Sequence, residues 1–226
     1  MLSSVVNQVL KGNEKRKQSC KMVGGEKKLT GHARERMFTE IFGDVTDCVT
    51  YKAEADCRMS LTNTRTRDLI DTLSKTLNLD MSDPTYLYAS IKSGNNLQFT
   101  LGNIPEITDA HDKVNAMSEP SLWKKYLQKS ESNNPAGLLV YYTPTSWCFF
   151  KMDSVIDFIV SKGKWRLLDT GRLKGDFDDS SKKGSSQYLT YEYRSTHKSY
   201  FLGANGGKGL AFINLLKANV PYYNFK

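Results

Sequence analysis

Asp56, Ser90, Lys92 and Glu106 are residue types that together could assist hydrolysis of a phosphodiester. A carboxylate holds a hard cation such as Mg²⁺ through oxygen, with water completing the shell. The bound cation polarises a phosphate and lowers the pKa of an attacking water. An ammonium beside it orients that water and balances the charge that develops. One carboxylate makes a poor magnesium site, so a second acid is needed. Position 90, two before the lysine, holds serine where an acid would be convenient. Glu106 follows Lys92 with thirteen residues between. A helix beginning near Ile104-Pro105-Glu106, where proline suits the first turn, could swing that carboxylate back toward Lys92. Glu35 is a further candidate ligand, direct or through water.

The elements that must position these groups follow from periodicity. Residues 49–59, VTYKAEADCRM, alternate as a strand does, with Asp56 on the face of Lys52, Glu54 and Arg58. Residues 66–78 predict a helix with Leu69, Ile70, Leu73 and Leu77 buried. Residues 85–92 return to period two, with Leu87, Ala89 and Ile91 on one face and Tyr86, Tyr88, Ser90 and Lys92 on the other. If these strands are neighbours, Asp56 and Lys92 converge. Glu54 and Asp83 remain alternative metal partners. Residues 31–42, GHARERMFTEIF, predict an earlier helix ended by Gly43, with Ala33, Met37, Phe38, Ile41 and Phe42 as its stripe and Glu35 at the stripe's edge.

Asp56, then Ser90-Ile91-Lys92, then Glu106 resembles the PD-(D/E)xK nuclease superfamily. The closer likeness is to its D…S-x-K-x13-E variant, in which the acid has moved from the strand to a nearby helix. That variant occurs in type II restriction endonucleases, including enzymes that recognise CCGG-containing sites. Glu35 in GHARE matches the early helical glutamate that such nucleases carry near the metal. Ala55 stands where many members have proline. The resemblance spans about residues 31–107. It implies Asp56, Glu106 and Glu35 as metal-binding acids, Lys92 as the residue that positions water, Ser90 as a neighbour in the site, Mg²⁺ as cofactor, and products ending in a 5′-phosphate.

The remainder predicts strands near 137–143 and 146–152, a helix near 154–162 ended by Gly163, and a strand near 164–169. Residues 175–186 read as a polar loop, followed by strands near 187–194 and 198–202 and a short element over 210–217. Tyr141, Tyr142, Trp147, Phe149 and Phe150 read as core. Residues 121–126 predict an amphipathic helix with Lys124 and Lys125 solvated, and 2–11 another short helix before a basic arm reaching Lys28. Candidate DNA contacts are Arg172, Lys174, Lys182 and Lys183 around the polar loop. Arg194, Lys198, Asn205 and Lys208 are the others, in the Tyr-, Arg- and Gly-rich stretch 191–209. Arginine bidentate to guanine is the commonest specific contact in the major groove, and amides of a glycine turn can hold phosphate.

Composition sets the bounds. The chain has 226 residues, 39% of them hydrophobic, which suits one folded domain. Its net charge of +8 favours a polyanionic partner. Cys20, Cys48, Cys57 and Cys148 are scattered, so reduced thiols are expected, not a zinc site. His32, His111 and His197 have no partners at metal or triad spacing, which disfavours HNH and Ser-His-Asp chemistry. No signal peptide or membrane span is expected, so the protein is expected to be soluble and cytoplasmic.

The expectation is therefore one α/β domain over 1–226, a restriction-endonuclease-like mixed β-sheet flanked by helices. About 30–110 would form the catalytic core and about 111–226 the half that completes the sheet and recognises DNA. The expected function is Mg²⁺-dependent cleavage of a specific double-stranded DNA site by a homodimer, with a tetramer also open. The rivals are a non-catalytic nucleic-acid-binding protein, a structural or virion-associated protein, and a repair or recombination nuclease.

Overall fold

The computed structural model describes residues 29–42, 56–81, 86–93, 97–102, 119–128, 136–143, 145–177, 187–196, 198–203, 210 and 212–226, together with Asn115. Glu54, Asp83, Glu106, Lys182, Lys183, Asn205 and Lys208 lie outside the described residues, as do the helix expected over 2–11 and the basic arm.

Helix α1 spans Leu29–Phe42. Phe38, Thr39 and Phe42 are buried, whereas Met37 and Ile41 are exposed. The buried face is thus rotated from the expected stripe. Thr39 can join it because its hydroxyl is satisfied, donating to the Glu35 carbonyl at 2.9 Å and lying 3.4 Å from the Cys57 sulfur. Strand β1 (Cys57–Ser60) follows, with Asp56 in a bend at its head and not within the described strand.

Helix α2 (Thr64–Leu77) buries Leu69, Ile70, Leu73 and Leu77, as the period predicts. The Thr66 hydroxyl ties its first turn to the Ser60 carbonyl at 2.8 Å. Asn78 adopts a left-handed φ of 48°, and the Leu79 N–H closes on the Ser74 carbonyl at 3.2 Å, a terminating geometry that asparagine tolerates. The turn delivers the chain toward β2 (Tyr86–Ser93).

Among the described residues the strands form two five-stranded sheets. In the first, β2 runs antiparallel to β1 and parallel to β4 (Leu138–Thr143). Strand β5 (Ser146–Lys151) returns beside β4, and β10 (Tyr222–Phe225) forms the edge. Periodicity gives no sign of β10, because all four of its residues are half-buried and nothing alternates. The second sheet is antiparallel, in the order β3 (Phe99–Gly102), β9 (Ser199–Gly203), β8 (Tyr188–Arg194), β7 (Leu173–Asp176) and β6 (Lys164–Leu167). Strand β7 corrects the expected loop, since its residues 175 and 176 are paired with Leu189 and Tyr188. Its glycine is required by packing. A Cβ on Gly175 would fall 2.8 Å from the Trp165 ring, which covers that position.

The first sheet is buried on both faces, which is why β4 and β5 are apolar without interruption. One face packs Met59, Leu87, Ala89, Ile91, Val140 and Phe149 against α1 and α2. The other packs Leu139, Tyr141 and Phe150 against α3 (Pro120–Leu127), α4 (Met152–Lys162), α5 (Phe212–Lys217) and the inner side of the second sheet. Tyr141, Trp147, Phe149 and Phe150 are core, as expected, and Tyr142 is half-buried against it. Lys124 and Lys125 are half-buried, and Lys124 lies 3.6 Å from Asp153 of α4.

Cys57 and Cys148 are free, buried thiols. Burial pushes the Cys148 thiol up from its ordinary 9.0 to about 12, against a smaller lowering by Ser146. A thiol that stays protonated longer when folded gives stability present below the unfolded pKa and lost as pH rises to the folded one. Wild-type protein is therefore expected to lose stability between pH 9 and about 12 more steeply than Cys148→Ala. Urea midpoints across that range measure it, and parallel profiles would remove Cys148 as the cause.

Candidate active site

The register decides which side chains meet. Cys57 pairs with Ala89, so Asp56, one residue earlier, falls opposite Ser90. Beyond that pair the Asp56 carboxylate takes the place of a main-chain acceptor: the Ile91 N–H donates to its Oδ2 at 2.7 Å. The Ser90 hydroxyl donates to the same oxygen at 3.0 Å. Period two then brings Lys92 to the face of Ser90. Its Nζ donates to Ser90 Oγ at 2.9 Å and lies 3.4 Å from Asp56 Oδ2. The Lys92 and Asp56 side chains keep 21% and 26% of their exposure. The pair is sheltered but reachable, so its attraction is screened less than that of a surface pair.

Strand parity also fixes the direction of the site. Ile91 and Ala89 enter the core under α1 and α2, so Ser90 and Lys92 turn toward the second sheet. The Lys92 ammonium stands 5.4 Å from the ring centre of Phe99 on β3. That aromatic face and the Ile91 amide were missed at the level of sequence. Both depend on strand pairing, which leaves no local signal.

Glu35 approaches from α1. Its carbonyl accepts from the buried Cys57 thiol at 3.6 Å, so its turn of helix abuts the residue that follows Asp56. Arg34, also missed, donates to Ser93 Oγ and places its guanidinium 5.2 Å from the Tyr142 ring centre. It holds α1 to the end of β2, one residue beyond Lys92.

The expected DNA contacts lie elsewhere. Leu173, Tyr191 and Leu202 fill the inner face of the second sheet, so Arg172, Lys174 and Arg194 stand on its outer face, away from Lys92. They are held by acids. Glu192, buried, lies 3.1 Å from Arg172 Nε and 2.8 Å from Arg194 Nε. Asp176 lies 2.8 Å from Lys174 Nζ and 3.4 Å from Arg166 Nε. Lys198 is exposed in a turn closed by its N–H on the Ser195 carbonyl at 3.2 Å. Glu192→Gln is expected to lower stability by about 1–3 kcal/mol, because the two guanidiniums lose a charged acceptor. Urea unfolding measures this, and an unchanged midpoint would show the pairing to be incidental.

The chain matches no family model, no curated protein and no solved structure.

A hard cation prefers oxygen donors. The Asp56 carboxylate and the Ser90 hydroxyl are of that kind. Among the described residues no group of three or more His, Cys, Asp or Glu side chains is poised to hold a metal. A cation bound at Asp56 would need further oxygens from Glu35, from water and substrate, or from Glu106.

Proposed function

We propose that this chain is a Mg²⁺-dependent DNA endonuclease of the type II restriction class. The observation that supports it is the meeting of Asp56, Ser90 and Lys92 at the junction of β1 and β2, with Lys92 Nζ 3.4 Å from the carboxylate. The net charge of +8 agrees with a phosphate-rich partner. No described helix is long and apolar enough to cross a membrane.

In this reading Asp56 and Glu106, with Glu35 as an auxiliary acid, hold Mg²⁺. When bound, the ion supplies Lewis-acid polarisation of the phosphate and a more acidic water. The residues do the positioning. Ile91 and Ser90 fix the Asp56 carboxylate from β2, so it keeps one orientation while substrate arrives. Lys92, fixed by Ser90 and Phe99, orients the attacking water and offsets negative charge on the phosphorus oxygens. Lys198, with Lys182, Lys183, Asn205 and Lys208, touches DNA phosphates or base edges, whereas Arg172, Lys174 and Arg194 are engaged by Glu192 and Asp176 on the outer face of the second sheet. Cleaving both strands takes two active sites, which a homodimer provides with the symmetry of a palindromic target.

The test is incubation of the purified chain with plasmid DNA in Mg²⁺ and in EDTA. Discrete fragments that need Mg²⁺ are the expected result. A Mg²⁺-dependent smear would keep the chemistry and remove site specificity. Binding without cleavage on several plasmids would replace the reading with that of a non-catalytic nucleic-acid-binding protein.

A further inference from the structure

Lys92 stands beside a carboxylate yet does not close on it. A charge-assisted bond from an ammonium to a carboxylate settles at about 2.7–2.9 Å. Lys92 Nζ lies 3.4 Å from Asp56 Oδ2 and makes its short bond, 2.9 Å, to the neutral Ser90 hydroxyl. The same Oδ2 already accepts from the Ile91 N–H and the Ser90 hydroxyl. The ammonium also faces the Phe99 ring, whose centre is 5.4 Å away. A cation–π attraction reaches about 6 Å and grows where water is shut out. Phe99 is 5% exposed and the Lys92 side chain 21%, so little water screens the pair.

The ring is held by elements that Lys92 does not share. Phe99 pairs with Leu202 of β9, and Leu202 pairs in turn with Tyr191 of β8. Two residues before Phe99, the Leu97 N–H donates to the Leu210 carbonyl at 3.0 Å. A Cβ on Gly203 would fall 2.9 Å from Gln98 Cγ and 3.3 Å from its Cα, so glycine is what lets the start of β3 lie this close to β9. Phe99 is therefore a fixed wall carried by the second sheet. Lys92 is a long side chain that reaches it from the first.

We infer that Phe99 is a positioning residue: its ring face holds the Lys92 ammonium short of a closed ion pair with Asp56, which leaves that carboxylate able to take a divalent cation. The inference rests on the nuclease reading, since it concerns the cation which that reading requires. An ammonium closed on Asp56 would neutralise the charge that draws the cation and would repel the cation itself. Held against Phe99, it stays in the site without occupying the carboxylate. An aliphatic side chain fills much of the same space but has no negative face, so it cannot hold the ammonium in this way.

The test compares Phe99→Leu with a ring-fluorinated phenylalanine at the same position, which keeps the shape and withdraws electron density from the face. Proton NMR of the full chain in EDTA reads where the ammonium sits, because an aromatic face shifts the Lys92 ε-methylene protons upfield. Phe99→Leu is expected to abolish that shift, and the fluorinated ring to reduce it. Mn²⁺ binding without DNA, read by electron paramagnetic resonance, is expected to weaken about tenfold in Phe99→Leu, the scale of one cation–π contact sheltered from water. Adding Phe99→Leu to Lys92→Ala should weaken it no further, because no ammonium remains to close on Asp56. Cleavage by Phe99→Leu should fall at limiting Mg²⁺ and recover as Mg²⁺ is raised. Lys92 protons without an upfield shift in the wild-type chain would overturn the inference. So would unchanged Mn²⁺ binding in both variants, or an equal loss with and without Lys92, which is the mark of packing alone. If Phe99→Leu does not fold, the fluorinated chain decides. If no chain cleaves DNA, the nuclease reading falls, while the NMR and Mn²⁺ results still decide whether the ring holds the ammonium off Asp56.

Discussion

Lys92→Ala is expected to lower Mg²⁺-dependent cleavage by about a hundred- to a thousandfold, the effect of removing one preorganised group that stabilises developing charge. DNA binding in EDTA should change little, because the lysine is a single cation in a chain of net charge +8. The structural cost should also be small. Lys92 keeps a fifth of its side-chain exposure, and Asp56 retains its bonds from Ile91 and Ser90 when the ammonium is gone. Loss of activity with an unchanged unfolding midpoint would therefore assign a chemical role. Asp56→Asn is the companion variant. It keeps an oxygen for the Ile91 amide but removes the charge that would draw a cation, so cleavage should fall and should recover in part at higher Mg²⁺. Wild-type cleavage by Lys92→Ala would exclude this site, whatever else cleaves the DNA.

The largest expected effect on stability is at Phe42, where α1 joins the first sheet. Its ring lies 5.0 Å from Phe38 and 5.0 Å from Phe225 between centres. It meets Trp147 at 5.9 Å and Phe149 at 5.7 Å, with planes near perpendicular in both pairs. Edge-to-face rings gain beyond simple burial. Phe42→Ala is expected to cost about 3–5 kcal/mol, the transfer term plus the cavity left among rings that cannot collapse. It also loosens α1, whose Arg34 holds the end of β2 and whose Glu35 carbonyl accepts from Cys57. Chemical denaturation gives the number, and a loss below about 1 kcal/mol would mean that the pocket closes around alanine.

The two variants separate what holds the site from what acts in it. Phe42→Ala should lose cleavage as the folded fraction falls, and should regain it on cooling toward the stability maximum. Lys92→Ala should stay inactive at every temperature at which it is folded.

The sequence determined the parts that depend on near neighbours. Alternation over 85–92 put Leu87, Ala89 and Ile91 on one face and Ser90 and Lys92 on the other, and in β2 the first face is the buried one. Helical spacing likewise fixed the buried side of α2, since a pattern of period 3.6 has one apolar face whatever it packs on. The types of Asp56, Ser90 and Lys92 and their order along the chain were enough to point to a chemistry. Tertiary structure decided the rest. Only the β1–β2 register brings Asp56 to Ser90, because pairing across a 14-residue helix leaves no mark on local spacing. The exposure of Met37 and Ile41 was set by where α1 finds the sheet, not by the helix itself. Strands β7 and β10 were hidden because short strands take their stability from neighbours that the local sequence does not contain. For the same reason Arg172 and Arg194 read from sequence as candidate DNA contacts, and only folding placed Glu192 between them.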